Sequence, residues 1–373
     1  MAGIYIHIPF CKQACSYCNF HFSTSTKRKS ELVDAILLEA QLRSKYLEKE
    51  IVETIYFGGG TPSLLTEQEL NSLLNGLSKN YNLSQELEIT LEANPDDLNR
   101  KKLSELKKAG LNRLSIGIQS FHEADLKLFN RSHNAEEALS CIKSSQDIGF
   151  EKLNIDLIYG AQTTSDTMWE ENLKLFFNLK IPHLSSYSLT VEEKTAMNHW
   201  IKSERKAPID EEKNHRQYQM LVKAINANNY QQYELSNFCE SNNYSKHNTS
   251  YWFGKKYQGL GPSAHSYNGK SRQWNVSNNL AYIKAINKNE DFFEIETLSE
   301  TNQFHEFLIT RLRTKWGIDF KDVNANFSQK IADHFYQQIT CLDPDTIELQ
   351  SDNLSIPQNQ LFLSDEVVRE LML

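Results

Sequence analysis

The chain has 373 residues, of which 39% are hydrophobic, 24% charged and 11% aromatic, with a formal net charge of −8. This is the composition of a globular protein with one large domain and an appendage, or with two domains, and it excludes an intrinsically disordered chain. The acidic balance argues against bulk nucleic-acid binding, which needs surplus Lys and Arg to neutralise phosphates. No apolar run approaches the roughly 20 residues that span a bilayer. The opening MAGIYIHIPFC has no cationic segment before its apolar stretch, so it does not read as a secretory signal. The expected location is the cytoplasm, with at most transient membrane association.

Strand and helix signals alternate up to about residue 230. Ile4, Ile6 and Ile8 share one face of a first strand. A long loop follows, then a helix after Ser30. A second strand runs from about Val52 to Phe57, and Thr66 with Glu69 forms a capping-box pattern that opens a helix. Leu87 to Glu92 reads as a strand, Asp97 to Ala109 as a helix, and Leu111 to Gln119 as a strand. Asn134 and Glu137 cap the next helix, and Leu153 to Ile158 is a strand. Ser165 to Asn178 is a helix, His183 to Leu189 a strand and Glu211 to Asn228 a helix. Strict β-α repetition gives a parallel sheet with helices outside, so these units predict an α/β open sheet or a partial (β/α)6 barrel.

After Tyr230 the rhythm breaks. Residues 236–276 read as a structured loop region or a small β element. Helices return at Thr301 to Thr314 and Ser328 to Thr340. Short β-like pieces follow near Thr346 to Leu349 and Gln360 to Leu363, then a last helix. That order suggests a small α+β winged-helix-like C-terminal domain. The expected division is 1–230 for the barrel, 231–298 for a connecting region and 299–373 for the C-terminal domain.

Three of the six cysteines, Cys11, Cys15 and Cys18, fall within one short loop. In a reducing compartment such a cluster is a metal site rather than a disulfide set. Zinc would need a fourth ligand, which His7 or His21 could supply. Three thiolates on a cubane iron–sulfur cluster would instead leave one iron open to a small molecule. The other three stand alone. Cys141 reads as a buried helix residue, Cys239 as a loop thiol and Cys341 as a core thiol.

Cys-x3-Cys-x2-Cys after a first strand resembles the signature of the radical S-adenosylmethionine (SAM) family. That resemblance implies a [4Fe–4S] cluster on Cys11, Cys15 and Cys18, with SAM on the open iron and its reductive cleavage to a 5′-deoxyadenosyl radical. Tyr5-Ile6-His7-Ile8-Pro9-Phe10-Cys11, and Gly58-Gly59-Gly60-Thr61-Pro62 after the second strand, are similar to the oxygen-independent coproporphyrinogen III oxidase branch. The match covers nearly the whole chain. Glycines let backbone approach a ligand closely, and strand C-terminal ends are where such folds bind ligands. Gly59, Gly60, Thr61, Glu92, Gln119, Arg131 and Asp156 are therefore expected to contact SAM. Barrel-rim polar pairing, such as an Arg131–Asp156 salt bridge, is the plainer alternative. By the same resemblance Tyr5 lies near SAM and Tyr17 near the cluster.

Two activities exist in this branch. The oxidases carry a further cysteine two residues after the third ligand, where this chain has Asn19-Phe20, and they have a segment before the first strand. Cys-x-Phe instead resembles the HemW-type haem chaperones. So does His247-Asn248-Thr249-Ser250-Tyr251-Trp252, whose histidine the resemblance implicates in haem binding. His265, in Gly259-Leu260-Gly261-Pro262-Ser263-Ala264-His265, is the rival ligand. The expectation is a haem chaperone that delivers haem to acceptor haem proteins of the membrane, with a homodimer implied by the family alone. A coproporphyrinogen III oxidase is the alternative. A radical-SAM RNA-modifying enzyme is disfavoured by the charge.

Overall fold

A computed structural model describes residues 2–373. In chain order the elements are β1 Ala2–Ile8, α1 Lys29–Leu42, β2 Ile51–Gly59, α2 Glu67–Asn80, β3 Asn82–Ala93, α3 Arg100–Lys108, β4 Arg113–Gln119, α4 Glu123–Leu128, α5 Ala135–Asp147, β5 Lys152–Tyr159, α6 Asp166–Asn178, β6 His183–Ser188, α7 Ala196–Lys202 and α8 Glu211–Ala227. Then come β7 Tyr230–Glu234, β8 Asn237–Glu240, α9 Lys246–Trp252, β9 Lys256–Leu260, β10 His265–Tyr267, β11 Ser271–Asn275, α10 Asn279–Lys288 and β12 Phe293–Thr297. The chain ends with α11 Glu300–Leu312, β13 Ile318–Asp319, α12 Phe320–Asn326, α13 Gln329–Ile339, β14 Glu348–Leu349, β15 Asn353–Ser355 and α14 Ser364–Leu371.

The expected α/β architecture is present. Strands β1 to β6 lie side by side and parallel. They form the middle of a twelve-stranded mixed sheet that is not closed into a barrel. Beyond β6 the sheet ends in antiparallel β8 and β7. Beyond β1 it continues through parallel β9 and then antiparallel β10, β11 and β12. Residues 231–298, expected as a connecting region, thus supply β8 to β12 to the main sheet.

Period-2 alternation decides what each strand shows to each face. Ile4, Ile6 and Ile8, Leu91, Leu114, Ile116 and Ile118, and Leu153, Ile155 and Leu157 are buried in one apolar core with the helices. The residues between them turn to the opposite face of the sheet: Tyr5 and His7, Thr90 and Glu92, Ser115, and Asn154 and Asp156. That face is polar, with His7, Thr90, Ser115 and Asn154 buried and Tyr5, Glu92 and Asp156 partly exposed. The capping boxes Thr66–Glu69 and Asn134–Glu137 form as expected.

The C-terminal domain has its own core, including Phe304, Leu308, Phe335 and Leu354, and a small sheet in the order β13, β15, β14. It is tied to the main sheet by an antiparallel bridge between Glu234 and Thr314. Several local expectations are overturned. Gln360 to Leu363 belongs to a 3-10 helix, not a strand. The His247 motif forms α9 rather than a loop, because Ser245 Oγ accepts from Asn248 N and caps residues of poor intrinsic helix propensity. Cys239 is buried on strand β8 rather than in a loop, and Cys341 is exposed rather than in a core. Cys141 is buried on α5 as expected.

Candidate functional site

The loop after β1 carries the three cysteines, all partly buried and none in a disulfide. Its backbone is pinned at both ends. Cys11 N donates to Ser23 O at 3.0 Å and Ser23 N to Pro9 O at 2.7 Å. Ser16 N donates to Phe129 O, and Ser16 Oγ to Leu128 O at 2.7 Å. Asn130 Nδ2 reaches Ala14 O at 2.7 Å. The segment after α4 thus clamps the cysteine loop onto the mouth of the sheet.

Arg131 follows directly. Its guanidinium donates to Cys15 Sγ at 3.2 Å, Asn94 Oδ1 at 2.6 Å and Gly117 O at 2.7 Å. Its Nε, buried, has no partner. No Arg131–Asp156 ion pair forms among the described residues; the guanidinium serves the thiol instead. Burial raises the Cys11 thiol and pushes Cys18 up to about 11, while a hydrogen bond with Thr61 opposes the rise at Cys11. Tyr17 packs edge-on to Phe129 and lies beside Cys15. The zinc alternative finds no support in the histidines. His7 stands 3.0 Å from His21 O and 3.2 Å from Tyr5 OH.

The glycine run is required by packing at the strand ends. Gly59 has φ +109°, and a Cβ there would lie 2.5 Å from the His7 ring; at Gly60 it would lie 2.8 Å from Phe10 backbone. Glu92 holds this turn from the next strand, accepting from Gly59 N at 3.0 Å and Tyr56 OH at 2.8 Å. Burial, then the neighbouring Asp156, pushes the Glu92 carboxyl up to about 7. Burial likewise lifts Asp156 to about 6, although Asn154 Nδ2 donates to it at 2.7 Å. Gln119 ends β4 with φ +67°, an uncommon backbone for a non-glycine residue, where the β4–β5 register shifts. Tyr5, Gly59, Thr61, Glu92, Arg131 and Asp156 thus converge with the cysteines on one mouth. Tyr56 and Asn94 were missed by sequence reasoning. Tyr56 was legible in principle, lying two residues before Gly58 on the same strand face.

The histidines divide. His247 is buried: its Nδ1 lies 2.8 Å from Thr54 Oγ1, its Nε2 lies 2.8 Å from Tyr251 OH, and its ring stacks on Tyr56 at 4.9 Å. His265 is exposed and lines a cavity of about 1070 Å³ between the sheet mouth and the C-terminal domain. Tyr5, Phe20, Tyr251 and Trp252 line it from the sheet side, and Glu306, Phe307 and Arg311 from α11. A polar cavity of about 50 Å³ around Glu92 and Asp156 adjoins it, sharing Tyr187 and Asn248.

Residues 5–176 match the Radical SAM superfamily and residues 298–360 the HemN C-terminal domain. The solved coproporphyrinogen III oxidase (HemN) of Escherichia coli superposes with a TM-score of 0.86 over 99% of this chain and 89% of that one. At 21% identity it shows the fold alone. Heme chaperone HemW of Bacillus subtilis is 33% identical over 89% of this chain and 88% of its own length. Heme chaperone HemW of Lactococcus lactis is 34% identical over 90% and 88%. The chain belongs to the HemW family of radical SAM proteins.

Proposed function

We propose that this protein is a haem chaperone that holds a [4Fe–4S] cluster on Cys11, Cys15 and Cys18, binds SAM at the same mouth, and delivers haem to acceptor haem proteins of the membrane. The observation that carries the reading is the cavity of about 1070 Å³, lined by Tyr251, Trp252 and an exposed histidine. Ligand sites of about 300–1,000 Å³ with aromatic walls and a few polar groups are the usual form of a small-molecule pocket. Haem, flat and apolar with two carboxylates, suits such a wall.

The donor set fits the cluster: three thiols on a pinned loop, with Arg131 against one of them, suit the net negative charge of thiolate-ligated iron. Thr61, Glu92, Gln119, Arg131 and Asp156, with the backbone of Gly59 and Gly60, would hold SAM. Tyr5 would lie beside it and Tyr17 beside the cluster. When bound, the cluster supplies an electron to SAM. The chain's own part is to hold the sulfurs, shield the mouth and keep Glu92 and Asp156 in a dry setting. As axial ligand His265 is favoured over His247, because its imidazole lines the cavity while both nitrogens of His247 are engaged. A cytoplasmic site of action and a homodimer belong to the same proposal. No helix among the described residues is long and apolar enough to cross a membrane.

The test is a Soret-band titration of the anaerobically reconstituted protein with haem, beside His265→Ala and His247→Ala. The expected result is haem binding that His265→Ala loses and His247→Ala only weakens. No binding by the unmodified protein, with protoporphyrinogen formed from coproporphyrinogen III in the presence of SAM and a reductant, would replace the chaperone with the oxidase.

A further inference from the structure

Among the described residues, an ion pair crosses the large cavity. Arg272 on β11 donates from Nε to Glu306 Oε1 at 2.5 Å and from Nη2 to Oε2 at 2.8 Å; Glu306 is on α11 of the C-terminal domain. Arg272 Nη1 also donates to Tyr257 OH at 3.2 Å, and its guanidinium lies over the Tyr267 ring at 5.1 Å. Both partners are part-exposed, at 31% and 28%, and both line the cavity. The other arginines that line it are paired elsewhere: Arg311 with Asp322 and Arg313 with Asp365, neither of which lines the cavity. Glu306 is therefore the carboxylate partner that a ligand in the cavity could displace from its arginine.

The register places this guanidinium beside His265. Strands β10 and β11 pair antiparallel, with Tyr267 opposite Arg272 and His265 opposite Trp274. By alternation all four share one face, while Ser266 and Gln273 turn the other way to Arg43. Arg272 is thus the diagonal neighbour of His265, about 7–8 Å away along the sheet. That separation suits the reach from an axially held iron to a propionate on the ring edge.

We infer that Arg272 anchors a propionate carboxylate of the bound tetrapyrrole, and that Glu306 is the internal carboxylate it replaces. The inference rests on the haem reading above. In the exchange, the incoming carboxylate takes the two parallel N–H bonds that Glu306 gives up, so the guanidinium keeps a bidentate partner throughout. Release of Glu306 unties α11 from β11 at this point. Its return would help expel the ligand, which suits a protein that must hand its cargo on.

Binding of haem and of its dimethyl ester by the unmodified protein, Arg272→Gln and Glu306→Gln, each followed at the Soret band, tests this. The unmodified protein should favour haem over the diester by about tenfold or more, the scale of a hydrogen bond to a charged group. Arg272→Gln should bind both alike, and Glu306→Gln should bind haem more tightly. The ester comparison on the unmodified protein needs no variant to fold. Equal affinity of the unmodified protein for haem and diester would overturn the anchor while leaving the haem reading standing. Weaker haem binding by Glu306→Gln would also overturn it. Binding of neither porphyrin would fell the haem reading and the anchor with it.

Discussion

His247 and Tyr251 stand one helical turn apart on α9, with His247 Nε2 2.8 Å from the Tyr251 hydroxyl. The other ring nitrogen meets Thr54 on β2, so the imidazole bolts the helix to the sheet and orients a tyrosine that lines the cavity. His247→Ala should cost about 2–4 kcal/mol, from lost packing plus the unpaired Thr54 and Tyr251 hydroxyls. His247→Gln, which can still bond both, should recover much of that loss and most of the haem affinity. Thermal midpoints and haem titrations of the two variants check this. Abolished haem binding in both, at unchanged stability, would make His247 the iron ligand after all.

The same histidine predicts a pH dependence. Burial lowers the His247 pKa to about 3, against about 6.5 in the unfolded chain. The unfolded state therefore binds the proton more readily between those values. The stability His247 contributes is present above pH 6.5 and is lost as pH falls toward 3. Urea midpoints of the cluster-free protein should fall over that range, and His247→Gln should fall less steeply. Equal slopes would refute a buried neutral imidazole.

Glu92 has the opposite sign. Its folded pKa is about 7, above the unfolded 4.5, so its carboxylate burdens the fold increasingly as pH rises through that interval. Glu92→Gln should raise the stability of the cluster-free protein by about 1–2 kcal/mol at pH 8. Loss of one of its accepted hydrogen bonds offsets part of the gain. The advantage should vanish near pH 4.5, and urea unfolding at both pH values measures it. If Glu92 holds SAM as proposed, Gln should also weaken SAM binding, because a neutral amide replaces the carboxylate at the mouth.

Much of this was legible in the residues. The alternation of Ile4, Ile6 and Ile8 marked the first strand, and the repeated β-α units marked the parallel sheet. The capping boxes at Thr66 and Asn134 were local and formed as read. What escaped was settled by distant contacts. Lys256 to Leu260 joins the sheet because it pairs with β1, and no short-range pattern reports that. The helix at His247 holds residues with weak helical preference and depends on burial against Thr54 and Tyr56. Arg131 was expected at SAM, with Asp156 as the plainer alternative partner; its protein partners, Cys15, Asn94 and the Gly117 carbonyl, lie far apart in sequence.

Arg131 makes a sharper test of the cysteine loop than the cysteines do. Alanine at Cys11, Cys15 or Cys18 should abolish cluster assembly, and Cys341→Ser, at an exposed thiol, should not. Arg131→Lys keeps the charge but cannot reach Cys15, Asn94 and Gly117 at once. It should assemble a cluster that loses iron faster and should bind SAM about tenfold or more weakly, the scale of one lost charge-assisted bond. Iron content over time and equilibrium dialysis with SAM check both. Unchanged values would leave Arg131 as a loop clamp only.

Gly59 and Gly110 separate close approach from backbone freedom. Both have positive φ, +109° and +97°, so alanine is strained at either. At Gly110 a methyl would meet nothing within 4 Å. The cost there should be only the backbone term, about 1 kcal/mol. At Gly59 the methyl would lie 2.5 Å from the His7 ring, itself held by Tyr5 and His21 O, so the ring cannot move without unmaking those bonds. Gly59→Ala should add an overpacking cost of about 1–3 kcal/mol. It should also displace Glu92, whose acceptance from Gly59 N sets the turn. Urea midpoints of the two variants, and SAM binding by each, distinguish the sites. Equal destabilisation would mean that His7 yields freely, and the turn would then owe its shape to backbone preference alone.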